Sequence, residues 1–116
     1  MSTEQEQEYL SYVVVRPDLL DWEKLKVNAD FNIKCYKEST YMGMLDKYSK
    51  RSGLGVITYT SSRLYEGSWL DDKRHGLGYE QFMNGNTYEG EYISGKVSGQ
   101  GRYNWHNGEY YEGQYL

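Results

Sequence analysis

Few side chains in this 116-residue sequence have the chemistry for catalysis or metal binding. His75 and His106 each sit beside a turn but at different places in the surrounding pattern, so they do not read as a ligand pair, and a structural role is expected for both. Cys35 is the single cysteine, which leaves no internal disulfide and no Cys-rich zinc site. Asp71-Asp72 could hold a cation, but reads more simply as a polar hairpin loop. Gly76-x-Gly78 and Gly99-x-Gly101 lack the third glycine, the strand-to-helix context and the downstream acid of a dinucleotide site. Glu66, Glu89 and Glu112 recur in one repeated phrase, which points to pairing across a sheet rather than acid–base work. No nucleophile, base and orienter come together. The sequence reads as a non-enzyme, without catalytic residues, metal or cofactor.

Charge narrows the partners. The net charge is −4, and the one segment with a basic excess is 41–64, where Lys47, Lys50, Arg51 and Arg63 oppose Asp46. These four are the candidate contacts for an anionic lipid surface, although a solvated loop is the simpler meaning. An acidic chain without clustered Lys and Arg argues against nucleic acid, whose affinity comes mostly from backbone neutralisation. No apolar run approaches the length of a transmembrane helix. The acidic start, Met1 to Glu8, is unlike a signal or transit peptide. With a single cysteine, an intracellular, reducing location such as the cytoplasm is the simpler expectation.

These residues are positioned by a repeat. Tyr65, Tyr88 and Tyr111 stand 23 residues apart, each opening Tyr-Glu-Gly-x-(Trp/Tyr). Gly76-Leu77-Gly78 recurs as Gly99-Gln100-Gly101, Phe82 as Trp105, and Asn84-Gly85 as Asn107-Gly108. Fixed self-similarity of this kind marks an array whose units contact only their neighbours. The full units are 65–87 and 88–110, followed by a partial one at 111–116. A degenerate copy at 41–64 has Met42 where the others have Glu. A fainter alignment of Ser39-Thr40-Tyr41 with Asn86-Thr87-Tyr88 would extend the pattern through 31–40.

Read at period two, Tyr65, Gly67 and Trp69 share one face and Glu66, Ser68 and Leu70 the other. Tyr88, Gly90 and Tyr92 repeat this, and Tyr111 and Gly113 begin it again. Gly76 and Gly78 lie two apart, so both are expected to leave room beneath an aromatic ring. Asn-Gly predicts tight hairpins in which both residues take positive φ. Each unit is therefore a β-hairpin, and the predicted fold is mainly β: a single-layer, elongated antiparallel meander with a short helical lead-in. With 14 Tyr and 13 Gly, an aromatic-and-glycine face stands in for a two-layer core.

The lead-in, 1–40, lies outside the repeat. Thr3 and Glu6 resemble a capping box for a helix over Glu4–Tyr12, and Val13–Val15 favour an extended chain. Asp18 as N-cap, with Leu19, Leu20, Trp22 and Leu25, predicts an amphipathic helix over Leu19–Val27. So short a helix must dock, either as a cap on the sheet or on another chain.

Tyr65-Glu66-Gly67-Ser68-Trp69 followed by Lys73-Arg74-His75-Gly76-Leu77-Gly78 resembles the MORN (membrane occupation and recognition nexus) repeat, as does Tyr88–Gly101. The resemblance implies a scaffold or accessory subunit in a larger assembly, similar to the all-repeat radial-spoke head components of motile cilia. It also implies, as an alternative, a membrane-surface module like those of junctophilins and plant phosphatidylinositol-phosphate kinases. A third expectation is that these residues form the leading portion of a longer protein. Partners are expected at the groove aromatics, Tyr65, Trp69, Phe82, Tyr88, Tyr92 and Trp105. They are also expected at the strand edge Tyr111, Glu112, Gly113, Gln114, Tyr115 and Leu116, whose outer backbone groups are unpaired within the repeat.

Overall fold

The computed structural model describes Arg16 and residues 18–116. The readings for Glu4–Tyr12 and Val13–Val15 lie outside these residues. Eight antiparallel strands form one open sheet in sequential order: β1 (Phe31–Cys35), β2 (Ser39–Leu45), β3 (Arg51–Tyr59), β4 (Leu64–Leu70), β5 (Lys73–Gln81), β6 (Thr87–Ile93), β7 (Lys96–Asn104) and β8 (Tyr110–Tyr115). The sheet thus begins at Phe31, ahead of the degenerate repeat, where the fainter alignment would place a strand.

One row of the sheet explains the repeat. Gly43, Gly55, Gly67, Gly78, Gly90, Gly101 and Gly113 face one another in register across β2 to β8. Tyrosine rings lie across this glycine column. A Cβ at Gly55, Gly78 or Gly101 would stand 2.5–2.6 Å from ring carbons of Tyr41, Tyr65 or Tyr88. Only a residue without a side chain lets a ring rest on the next strand's backbone. The rings also meet each other edge to face, in the order Tyr41–Trp69–Tyr65–Tyr92–Tyr88–Tyr115–Tyr111, with centroids 5.1–5.3 Å apart. This continuous ladder is the front core, as the period-two reading requires.

The companion glycine has another reason. Gly76 adopts φ +95°, and a Cβ there would meet the Ser68 side chain rather than a ring. The expectation that both glycines of Gly-x-Gly make room for aromatics is corrected accordingly. Gly76 supplies a left-handed backbone opposite the register shift between Gly67 and Trp69.

The hairpin turns depart from expectation as well. The two-residue turns with positive φ at both positions are Asp71-Asp72 and Ser94-Gly95, flanked by the pairs Leu70–Lys73 and Ile93–Lys96. At Asn84-Gly85 and Asn107-Gly108 only the glycine has positive φ. There the asparagine carbonyl oxygen accepts from the backbone N–H two residues on, at Asn86 and Glu109, 3.0 Å in each case. The side chain makes an Asx turn inside a longer loop.

The lead-in helix is shorter than predicted. Helix α1 spans Trp22–Leu25, with Asp21 as N-cap accepting from Lys24 N–H at 3.3 Å. Asp18 is not the cap, because its carboxylate is taken by the Arg16 guanidinium, 3.3 Å away. The helix docks on the back face of the sheet, where Leu20, Trp22 and Leu25 form a second buried cluster with Met42 and Val56. Met42 occupies the position that Glu66, Glu89 and Glu112 fill in later repeats. This apolar substitution lets a helix pack at that place.

Candidate interaction surface

The aromatic face is sealed at one end and open at the other. Tyr41, Tyr65, Tyr88, Trp69 and Tyr92 are all buried. Each repeat tyrosine is held by its own strand, its hydroxyl donating to the carbonyl three residues on: Tyr41 to Met44, Tyr65 to Ser68, Tyr88 to Glu91 and Tyr111 to Gln114, at 2.7–3.0 Å. Trp69 donates its indole N–H to the Gly55 carbonyl at 3.1 Å. Toward β8 the cover thins. Tyr103, Trp105, Tyr111 and Tyr115 line a shallow cleft, with Trp105 42% and Tyr111 45% exposed. Phe82 and Trp105 are equivalent in sequence, yet Phe82 stacks on Tyr103 at 5.7 Å while Trp105 projects beside that ring.

A buried ion cluster sits beside the ladder at Tyr92, and sequence reasoning missed it. Glu80 is buried and accepts from Arg74 at 2.6 Å, Arg63 at 3.3 Å and the Tyr92 hydroxyl at 2.8 Å. Burial, then the Glu80 charge, pushes the Tyr92 hydroxyl far above the usual tyrosine range. The available signal was an acid at a front-face position filled by Ile57 and Tyr103 in the neighbouring repeats. The Arg51 guanidinium lies 4.6 Å from the Trp69 ring centre and bonds Asp72 at 2.7 Å. Burial works against ionisation of Asp72, but these bonds and the arginine charge hold its carboxyl below the ordinary range.

The repeated glutamates line the back face, where Glu66, Tyr79, Glu89, Arg102 and Glu112 are cross-strand neighbours in one row. They take different partners. The Arg16 backbone N–H donates to Glu66 at 2.6 Å, and its guanidinium pairs with Glu89. The same guanidinium lies 5.8 Å from the Tyr79 ring centre. Glu112 is exposed. Among the described residues of the lead-in, Arg16 thus meets two successive repeat glutamates on the back face, and Leu20, Trp22 and Leu25 lie over Met42 and Val56.

The family model for the MORN repeat matches residues 47–62, 65–87 and 88–110, more than half of the chain. This chain belongs to the MORN-repeat family. No curated protein matches it as a relative. The two full matches share the bounds of the repeats read from Tyr-Glu-Gly, and the third falls within the degenerate copy.

Within this MORN array the four basic residues singled out by sequence do not form one patch. Lys47, Lys50 and Arg51 lie before β3, or at its start, and Arg63 lies beyond its end, separated by the nine residues of that strand. Lys50 pairs with Asp71 at 3.0 Å, Arg51 with Asp72, and Arg63 with Glu80. His75 accepts from the Ser94 N–H at 3.2 Å, bracing a tight turn of the next hairpin. His106 meets the buried Asn86, which also donates to the Tyr103 hydroxyl. Among the described residues no group of three or more His, Cys, Asp and Glu could hold a metal ion. No described helix is long and apolar enough to cross a membrane.

Proposed function

We propose that this MORN-repeat chain is a non-catalytic scaffold subunit. It binds other protein subunits through the open end of its aromatic face and the edge of β8, within a larger intracellular assembly of the cytoskeletal or ciliary kind. One observation carries this reading. The ring ladder runs unbroken from Tyr41 to Tyr111, and its rings pass from fully buried to half-exposed without a change in chemistry. Exposed, rigidly held Trp and Tyr side chains are the residues that dominate protein interfaces. The free thiol of Cys35, exposed on β1, fits a reducing compartment.

A pair of tryptophan variants tests it. Trp69→Ala removes a buried ring and should cost about 3–5 kcal/mol of stability, whereas Trp105→Ala should cost less than about 1 kcal/mol. In cells of the source organism, the tagged wild-type chain should migrate on size exclusion with a large particle, and Trp105→Ala should migrate as the free chain. Co-migration of Trp105→Ala at wild-type yield would sink the reading. The lipid reading rests on Lys47, Lys50, Arg51 and Arg63; three of these are occupied by acids, which disfavours it. Co-sedimentation with phosphoinositide-containing liposomes is accordingly expected to leave the chain in the supernatant.

A further inference from the structure

Four aliphatic side chains break the polar back face in the middle of the array. Leu54, Leu70, Leu77 and Ile93 are 37–57% exposed. By strand alternation they share the face of Val56, Glu66, Tyr79 and Glu89. They form two pairs at the repeat spacing, Leu54 with Leu77 and Leu70 with Ile93. We propose that this stripe docks an acidic amphipathic helix of another polypeptide, with apolar residues at i, i+3, i+7 and i+10. This goes beyond the scaffold reading, and it uses neither the Trp105 cleft nor the edge of β8.

The argument is one of spacing. The four residues come from β3, β4, β5 and β6 in turn, and successive strands lie about 4.8 Å apart. Along the array they therefore stand at about 0, 4.8, 9.6 and 14.4 Å. A helix places residues i, i+3, i+7 and i+10 at about 0, 4.5, 10.5 and 15 Å along its axis. The stripe also zigzags as such a seam does. Leu54 faces Ser68, two residues before Leu70, and Leu77 faces Glu91, two residues before Ile93. Leu70 and Ile93 are thus displaced toward the tight turns by the same step, and the two rows match the two sides of a helical seam.

Charge selects the kind of helix. Lys73 stands directly opposite Leu70, and Lys96 opposite Ile93. Among the described residues neither lysine is in an ion pair. The acids beside them are taken: Asp71 by Lys50, Asp72 by Arg51, and Glu91 by the Gln100 N–H. One rim of an apolar stripe is therefore lined with free cations, which favours an acidic partner.

This face already holds a helix. Leu20, Trp22 and Leu25 pack on Met42 and Val56, with Met44 against the same cluster. The Leu54 N–H meets the Met44 sulfur at 3.4 Å, so the stripe continues from the α1 contact. The chain does not itself supply the second helix. α1 is already docked, and no set of apolar residues within 1–15 has the required spacing.

The probe is a synthetic peptide of about fourteen residues, with leucine at i, i+3, i+7 and i+10, glutamate beside them and alanine elsewhere. Titrated into the full chain, it should bind saturably, gain helicity and shift the amides of Leu54, Leu70, Leu77 and Ile93. Affinity should fall at least about tenfold for Leu77→Glu or Ile93→Glu chains, which melt near wild type, and for a scrambled peptide. Lys73→Glu with Lys96→Glu should reverse the preference between glutamate and lysine peptides. Trp105→Ala should bind as wild type. Absence of saturable binding, or full affinity in Leu77→Glu, would overturn the proposal. So would a concentration-dependent dimer lost in Leu77→Glu. The source of the helix is read by a photo-crosslinker at position 77 of the chain expressed in its own cells. A crosslinked peptide of another protein with this apolar and acidic pattern is expected. One from a sequence continuous with this chain, or from a second copy, would overturn the assignment.

Discussion

Tyr65 and Gly78 act as one unit, since the ring has no place to rest unless its neighbour lacks a side chain, and the same holds for Tyr88 with Gly101. Gly78→Val puts a branched side chain where ring carbons stand 2.5–2.6 Å from the Cβ position, and overpacking of this kind costs about 1–3 kcal/mol. The urea midpoint of Gly78→Val and of Gly101→Val should drop accordingly; an unchanged midpoint in both would refute the ring-on-glycine packing. This pairing was legible from spacing alone, because Tyr-Glu-Gly and Gly-x-Gly recur at one period. The separate task of Gly76 was not, because a missing side chain looks the same whether space or φ demands it. Asn84 was misjudged for a related reason: asparagine tolerates positive φ and also makes Asx turns, and only the loop length decides. Glu80 was overlooked because Arg63 and the Tyr92 hydroxyl reach it from other strands, although Arg74, six residues away on β5, shares its face at period two.

At the scale of elements, the departure from the repeat matters more than the repeat. Met42 sits in the row that later carries Glu66, Glu89 and Glu112, and beside it Leu20, Trp22 and Leu25 find an apolar floor. Helix α1 is a single turn and would not hold together in isolation; its stability is that of its contact with β2 and β3. Met42→Glu restores the repeat's acid but buries it against that cluster, and should cost on the order of 3 kcal/mol. Chemical denaturation measures the loss, and trypsin should then cut after Lys24 or Lys26 in the native protein. Wild-type stability together with wild-type protease resistance would show that α1 does not depend on this floor. The sequence announced that a helix would form near Trp22 and that Met42 broke the pattern. It did not connect the two, since a periodic array says how strands pair but is silent about what lies on its back. The helix length was overestimated because Asp18 looked like a cap until Arg16 was seen to claim it.

At the scale of the molecule, the front core is a line of phenols, and this makes stability sensitive to alkali. Burial pushes the hydroxyls of Tyr41 and Tyr65 well above the ordinary tyrosine range, burial with the charge of Glu80 does so for Tyr92, and Tyr88 rises to about 12. An unfolded tyrosine ionises near pH 10. Between that value and the folded one, the unfolded chain releases protons that the fold retains, so raising the pH favours unfolding. The contribution of each such tyrosine is complete below about pH 9 and falls by up to about 1.4 kcal/mol per pH unit above about pH 10. Because every ring in the ladder touches the next, opening one unit exposes its neighbours, and the losses should add along the array rather than stay local. The urea midpoint is therefore expected to stay level from neutral pH to about pH 9, then to fall steeply, with phenolate absorbance from the buried rings appearing together with loss of the sheet's circular dichroism. Ionisation of all the phenols in the ordinary range while the sheet signal persists would mean that the ladder is wet, and that something other than its rings holds the repeats in line.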